Sequence, residues 1–260
     1  MRVSVLTAVG AGRETWLPAA AESVALGRAA AGIELEWVVC ADGAAAVDLP
    51  PDRRPDRLLG WRGARGVSAA RNAALAAAAG DWVLPLDADD ELDPAGLRAL
   101  LDVLVDCPPV VGWIGANRTL IGGGRTAHWF DVRRGFAVGE LAAEWSSPFA
   151  FHPNSWLVRR EVLLRVGGWP ATGVNEDLAA VLLVSEEAAG RLEPAVLARY
   201  RVWPGQEVAS AAYAEDKPGA FAVVEELVNA RRRVAGRPAV RRPEAGPAYG
   251  RLRVADEAPG

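Results

Sequence analysis

The sequence has few cysteines, few histidines and no long apolar run. It contains 2 cysteines among 260 residues, and Cys40 and Cys107 are too few for a four-cysteine zinc site. No apolar stretch approaches the ~20 residues that a membrane-spanning helix needs. The N-terminus has no apolar core followed by a small-residue cleavage site, so we expect no secretory signal, reduced thiols and a cytoplasmic location.

The sequence also lacks an excess of positive charge. The net charge is −4 and the isoelectric point is near 5.4. Nucleic-acid binders usually carry a basic stripe, so nucleic acid is not an expected partner. Only the C-terminal end is basic. We predict a loose tail over residues 236–260, with membrane contact that is at most peripheral.

The remaining composition is that of a globular α/β protein, with 51% hydrophobic residues. In the first half, short apolar segments at 3–8, 34–40 and 81–86 predict strands. They alternate with helical patterns at 15–26, 68–79 and 94–105, where Asp93 is a candidate helix cap. This alternation predicts a mixed, mostly parallel central sheet flanked by helices.

The second half is less regular. We predict strands at 156–159 and 196–203, helices at 160–166 and 175–188, and a turn at 122–124. One domain over residues 1–235 is expected, with halves at 1–106 and 107–235. In parallel sheets ligands bind at the carboxyl ends of the strands, so the residues that follow each strand are the first candidates for a site.

An acidic segment follows the third predicted strand. Asp87 and Asp89 stand at its end, with further acids at 90, 91 and 93. Mg²⁺ and Mn²⁺ prefer oxygen ligands and often bind through one or two carboxylates plus substrate phosphates. The pattern therefore suits a metal–diphosphate site, and a solvated acidic loop is the alternative.

Three further groups could carry chemistry. Arg71 lies in the first turn of a predicted helix, where an anion is favoured and a guanidinium can bind phosphate. Asp42 ends the second strand and could accept a hydrogen bond from a ribose or a base. Glu176 and Asp177 are candidates for a general base. Each group also has a purely structural interpretation. Arg71 could lie on an ordinary capped surface helix, and Asp42 could be a turn residue before glycine. Glu176 and Asp177 could be acids that the helix dipole favours at a helix start.

Taken together, these segments resemble the family 2 glycosyltransferases with the GT-A fold. The resemblance covers about residues 1–210 and is carried, in chain order, by VSVLTAV (3–9), EWVVCADG (36–43), GVSAARN (66–72), GDWVLPLDADD (80–90), VRRE (158–161), GGW (167–169), ED (176–177) and YRVWPGQ (200–206). It implies a nucleotide-diphospho-sugar donor, most simply a UDP-sugar, and a small-molecule or glycan acceptor. It also implies inversion at the anomeric carbon, assisted by Mg²⁺ or Mn²⁺.

The resemblance also assigns roles to residues. It implies that Asp87 and Asp89 hold the metal and that Asp177 is the base, with Glu176 as the second choice. The donor would contact the remaining predicted residues: Thr7, Ala8, Val9, Asp42, Arg71 and Ala88. Two departures stand out, because many relatives have an acid at the position of Ala41 and a histidine at the position of Trp203.

Other functions remain open at this point. A catalytically inactive GT-A binding protein would explain the missing histidine. A nicotinamide dehydrogenase would explain Gly10 and Gly12, but Thr15 replaces the third glycine of its fingerprint. A nucleotidyltransferase also uses strand-end acids, but its glycine-rich basic signature is absent from the N-terminal region.

Overall fold

The central sheet is built around the first strand. The structure is a computed structural model that describes residues 1–45, 49–146, 149–204, 206 and 210–243. Its strands, in chain order, are β1 (Arg2–Gly10), β2 (Glu34–Asp42), β3 (Arg57–Trp61), β4 (Trp82–Pro85), β5 (Glu91–Leu92), β6 (Val111–Leu120), β7 (Arg134–Phe136), β8 (Trp156–Arg159) and β9 (Ala189–Tyr200). Strand β1 is apolar along most of its length because helices cover both of its faces.

The sheet is mixed and mostly parallel, as predicted. Its order is β3-β2-β1-β4-β8-β6-β9-β5, and β7 pairs with β9. Strands β8, β5 and β7 are antiparallel to their neighbours, whereas the other strands all run in one direction. The carboxyl ends of β1, β2 and β4 therefore meet at one edge of the sheet.

Helices cover both faces of this sheet. They are α1 (Leu17–Ala31), α2 (Val67–Ala77), α3 (Pro94–Val105), α4 (Glu140–Ala143), α5 (Arg160–Arg165), α6 (Glu176–Ser185) and α7 (Ala211–Val234). Helices α1 and α3 contribute to one buried apolar cluster, and α2, α6 and α7 contribute to the other. Helix α6 is buried along nearly its whole length, as expected of a helix that is apolar on all sides.

Several boundaries differ from the prediction. Strands β3 and β6 were not predicted, because β3 is largely exposed and β6 mixes polar with apolar residues. The last strand ends at Tyr200 rather than at 203, and α6 ends at Ser185 rather than at 188. The predicted cap is present, since the Asp93 side chain accepts a hydrogen bond from the Gly96 backbone N–H at 2.9 Å.

The first residues of the predicted loose tail are packed. Val240 is buried, and its backbone carbonyl and N–H form hydrogen bonds of 2.9 and 2.8 Å with the side-chain amide of Asn229. The buried carboxylate of Glu186 binds both Arg232 and Arg237. The tail prediction thus does not hold for residues 236–243, and residues 244–260 lie outside the described part of the chain.

The basic C-terminal end is largely neutralised within the protein. Five of its arginines form ion pairs with glutamates, namely Arg231, Arg232, Arg233, Arg237 and Arg242. Paired guanidinium groups have less charge to offer an anionic lipid surface. Within the described residues, no helix combines the length and the apolar character required to cross a bilayer.

Candidate active site

A cavity of about 380 Å³ opens at the carboxyl edge of the sheet. Its walls come from the end of β1, the loop that follows β4, the start of α6, and the first turns of α7. Its lining residues include Ala8, Arg13, Arg71, Asp87, Ala88, Asp89, His128, Trp145, Phe149, His152, Asn154, Asn175, Glu176, Asp177, Tyr200, Tyr213, Lys217 and Phe221. The fold therefore brings the acidic segment after β4 and the two acids of α6 to one cavity.

Arg71 connects these two acidic groups. One end of its guanidinium donates to Asp87 Oδ1 at 2.6 Å and the other to Glu176 Oε1 at 2.5 Å. The Arg71 side chain is only 5% exposed, so the ion pairs are shielded from water and are strong. Burial alone would raise the pKa of Asp87, but Arg71 and Arg118 hold it below its ordinary value. Asp87 is therefore ionised, and Arg71 positions acidic groups rather than standing alone as an anion site.

Asp89 faces the same cavity with a different partner. Its Oδ2 atom accepts a hydrogen bond from the indole N–H of Trp203 at 2.8 Å. Burial and the neighbouring Asp87 carboxylate raise the pKa of Asp89, and the Trp203 bond opposes this. The indole is held between Arg13, whose guanidinium lies 4.4 Å from its ring centroid, and Trp16 at 5.9 Å.

Asp177 is the acid of this site whose pKa is raised most clearly toward neutrality. Burial and the adjacent Glu176 raise its pKa to about 7, against the opposing effect of Arg71. Its Oδ1 atom accepts from the backbone N–H of Leu178 at 2.7 Å. Glu176, by contrast, is occupied by Arg71. Of the two adjacent acids, Asp177 is thus the one suited to accept a proton near pH 7.

Asn175 places these acids at the start of α6. It has a φ of 59° and, among the described residues, is the only non-glycine residue with positive φ. Asparagine tolerates this conformation better than most residues. Its Oδ1 atom accepts a hydrogen bond from the Tyr213 hydroxyl at 2.9 Å. The first turns of α7 are thereby tied to the segment that carries Asp177.

Three of the predicted donor contacts lie away from the cavity. Thr7 is buried and its hydroxyl accepts from the Trp37 indole N–H at 3.0 Å. Val9 is part of the apolar core. Asp42 accepts from the Trp61 indole at 2.7 Å and from the backbone N–H groups of residues 65 and 66 at 2.5 and 2.9 Å. Asp42 therefore anchors the loop that leads into α2, and only Ala8 of the predicted nucleoside contacts lines the cavity.

Several cavity residues were missed or left without a role by sequence reasoning. Asn154 donates to Asp87 Oδ2 at 2.9 Å, and nothing in its sequence surroundings indicated this. His128 and His152 lie with ring centroids 5.5 Å apart. Burial lowers the pKa of His128 to about 4 and that of His152 well below its ordinary value, so both imidazoles are neutral.

A second missed group could have been found from helical spacing. Tyr213, Lys217 and Phe221 recur every four residues on α7 and all line the cavity. Such a spacing places side chains on one face of a helix. The helix itself was not predicted, because its first half contains Pro218 followed by Gly219, two residues that disfavour a helix interior.

The carboxylates of this site fit a divalent cation. No group of three or more His, Cys, Asp or Glu side chains arranged for a metal occurs among the described residues. Mg²⁺ and Mn²⁺ nevertheless bind through one or two carboxylates when a substrate supplies phosphate oxygens. Asp89 can accept from Trp203 and still offer an oxygen, since a carboxylate has about four acceptor positions. Asp87 is ionised beside it.

Comparison with known proteins identifies the fold. S. aureus TarS, residues 1–349, superposes with a TM-score of 0.64 at 14% identity, covering 90% of this chain and 69% of that one. Its complex with UDP-GlcNAc gives a TM-score of 0.61 at 15% identity. The chain covers 42% of the longer TarS structure, so it corresponds to part of that protein.

A second solved structure has the same fold. The mannosyltransferase PcManGT from Pyrobaculum calidifontis, in complex with GDP-Man and Mn²⁺, gives a TM-score of 0.55 at 18% identity, covering 90% of this chain and 74% of that one. No curated protein gives a significant sequence match. At such identities, similarity to solved structures establishes the fold and leaves the ligands open.

The family is indicated by the sequence itself. Residues 57–167 match the model of glycosyl transferase family 2. This segment contains Arg71, Asp87, Asp89 and Asn154, which form one wall of the cavity. The match of this segment to the family and the shared fold together confirm the resemblance stated from the motifs.

Proposed function

We propose that this protein transfers a sugar from a nucleotide-diphospho-sugar, with UDP as the first candidate nucleotide, to an acceptor hydroxyl with inversion. The observation that carries the proposal is the Arg71 bridge. A single buried guanidinium binds both the strand-end Asp87 and the α6 Glu176. It thereby brings the proposed metal–diphosphate site and the proposed base, Asp177, to the same cavity. The TarS and PcManGT complexes with UDP-GlcNAc and GDP-Man support this class of donor.

Asp177 is the proposed general base. A carboxylate with a pKa of about 7 is a stronger base than an ordinary aspartate and is largely deprotonated just above neutral pH. It would take the proton of the acceptor hydroxyl while that oxygen attacks the anomeric carbon. The bond from the anomeric carbon to the diphosphate oxygen breaks on the opposite face, so the configuration inverts.

Asp87 and Asp89 would hold a divalent cation, Mg²⁺ or Mn²⁺. When bound, such an ion supplies positive charge to the departing diphosphate. Arg71 and Asn154 fix the Asp87 carboxylate, and Trp203 fixes that of Asp89. Arg13 stacks on Trp203 and lies close enough to affect the pKa of Asp89. Its guanidinium would approach the same diphosphate.

A thermal-denaturation series tests the proposed donor. UDP, GDP, UDP-GlcNAc, GDP-Man and NADH are each added with and without Mn²⁺. A ligand that binds only the folded state raises the melting temperature by mass action. We expect a Mn²⁺-dependent rise with a nucleotide diphosphate, and loss of that dependence in Asp89→Asn. A rise with NADH alone, or none with any nucleotide, would contradict the proposal.

A second candidate is a GT-A protein that binds the donor without turning it over. The specific observation in its favour is the Trp203 indole, which donates to Asp89 and cannot itself bind a metal. Slow hydrolysis of the bound nucleotide sugar distinguishes the two. Hydrolysis that is abolished by Asp89→Asn indicates a transferase, whereas tight binding without hydrolysis indicates a binding protein.

A further inference from the structure

Part of the cavity wall is aromatic and carries a lysine. Trp145 and Phe221 pack edge to face with ring centroids 5.7 Å apart. Lys217 Nζ lies 5.5 Å from the Phe221 centroid and 5.9 Å from the Tyr213 centroid. Lys217 is the single lysine of the chain. This aromatic wall is defined by Trp145, Phe149, Tyr213, Lys217 and Phe221.

The cationic side chains of the described cavity lining fall into two groups. Arg71 is taken up by Asp87 and Glu176, and Arg13 stacks on Trp203 beside Asp89. Both therefore belong to the proposed diphosphate side. Lys217 is the cation on the aromatic wall. The two imidazoles of the cavity, His128 and His152, are neutral and add no positive charge.

Lys217 is also placed close to the proposed base. Tyr213, one turn earlier on α7, donates its hydroxyl proton to Asn175, two residues before Asp177. Asp177 and Lys217 line the same cavity, so the turn of α7 that carries the ammonium group lies beside the segment that carries the proposed base.

We propose that the acceptor carries an anionic group, a phosphate or a carboxylate, and that Lys217 binds this group in the same cavity as the proposed base. This inference rests on the proposed function. The aromatic rings would pack on the apolar face of the acceptor and exclude water, which strengthens a charged hydrogen bond. Burial lowers the pKa of Lys217, as expected of an ammonium group in such a wall.

A single lysine makes the site directly measurable. The protein is acetylated with an amine-reactive ester at pH 7.5, and the modification of Lys217 is read by mass spectrometry relative to the α-amino group of Met1. Glucose 6-phosphate and glucuronate serve as anionic probes, glucose as the neutral probe, and UDP with Mn²⁺ as the donor probe. We expect at least one anionic sugar to protect Lys217 and glucose to leave it reactive.

Each other outcome counts against the proposal. Equal protection by glucose, or none by either acidic sugar, overturns it. Protection by UDP with Mn²⁺ that matches that of the acidic sugars assigns Lys217 to the donor and also overturns it. Stronger protection by glucose 6-phosphate indicates a phosphate on the acceptor, and stronger protection by glucuronate indicates a carboxylate. If no nucleotide diphosphate binds in the melting series, the proposed function fails, whereas a bound nucleotide without sugar protection refutes this inference alone.

Variants supply a second measurement. Lys217→Gln is expected to weaken binding of the protecting sugar ~10- to 100-fold, which is the usual worth of a charged hydrogen bond. Lys217→Arg keeps the charge and should retain part of the affinity. The matched control is Arg233→Gln, which removes an exposed charge paired with Glu226 far along α7. Equal binding by Lys217→Gln and the parent protein would refute the assignment.

Discussion

Replacing Asp177 with asparagine should separate catalysis from stability. Asparagine keeps the shape of the side chain, and its oxygen can still accept from the Leu178 backbone N–H, as Asp177 does at 2.7 Å. The substitution removes only the ionisation. Burial and Glu176 raise the pKa of Asp177 from 3.8 to about 7, so ionising this group costs free energy in the folded state that the unfolded chain does not bear.

The sign and size of the effect follow from this difference. Between pH 3.8 and about 7 the folded protein keeps a proton on Asp177 that the unfolded chain has lost. The free energy of unfolding therefore falls by up to ~1.4 kcal/mol for each pH unit in this window. The stabilisation is complete below pH 3.8 and is lost as the pH rises through about 7. The asparagine variant should thus be more stable than the parent at pH 8, by ~2–4 kcal/mol.

Two assays test this prediction. Urea denaturation at pH 8 should show a higher midpoint for Asp177→Asn, and the gain should vanish near pH 4. Turnover should fall ~10²- to 10⁴-fold, the usual contribution of a general base. The parent kcat/KM should rise with pH and level off above about pH 7, the pKa of Asp177 in the free protein.

Glu176→Gln is the matched control. Glu176 is bound to Arg71, so removing its charge leaves a buried guanidinium with one partner fewer and should destabilise the protein at pH 8. Opposite signs for the two neighbouring substitutions are the expected result. Turnover near the parent level in Asp177→Asn, or a lower urea midpoint at pH 8, would refute the reasoning.

The remaining predictions concern three other contacts. Arg71→Ala leaves two carboxylates without their shared cation and should cost ~3–5 kcal/mol of unfolding free energy, as for other broken buried ion pairs; an unchanged urea midpoint would contradict this. Trp203→Phe keeps the aromatic ring but removes the donor that fixes the Asp89 carboxylate and lowers its pKa, so Mn²⁺ affinity at pH 8, measured by electron paramagnetic resonance, should decrease severalfold; an unchanged affinity would contradict this role. Asp42→Asn should lower the melting temperature, because Asp42 anchors the 61–66 loop. The unfolding free energy should fall by ~1–3 kcal/mol. Weaker UDP binding at unchanged stability would instead restore the nucleoside contact implied by the resemblance.

Local patterns in the sequence were enough to predict the layered α/β architecture. Apolar strands alternate with helices in the first half, and Asp93 caps α3 as its residue type indicates. The rule that ligands bind at strand ends predicts a site at Asp87 and Asp89, and both line the cavity. These features depend on neighbours within a few residues, so the sequence alone was sufficient for them.

The tertiary structure decided how each of those residues is used. Arg71 meets Glu176 across 105 positions of sequence, and Trp203 meets Asp89 across 114. Those contacts leave Asp177 as the candidate base, and Asp42 meets the 61–66 loop in the same way. They depend on which distant side chains the packing brings within hydrogen-bond range, and no local pattern carries that information. The same is true of α7, whose first turns meet the segment that carries Asp177 through the hydrogen bond from Tyr213 to Asn175.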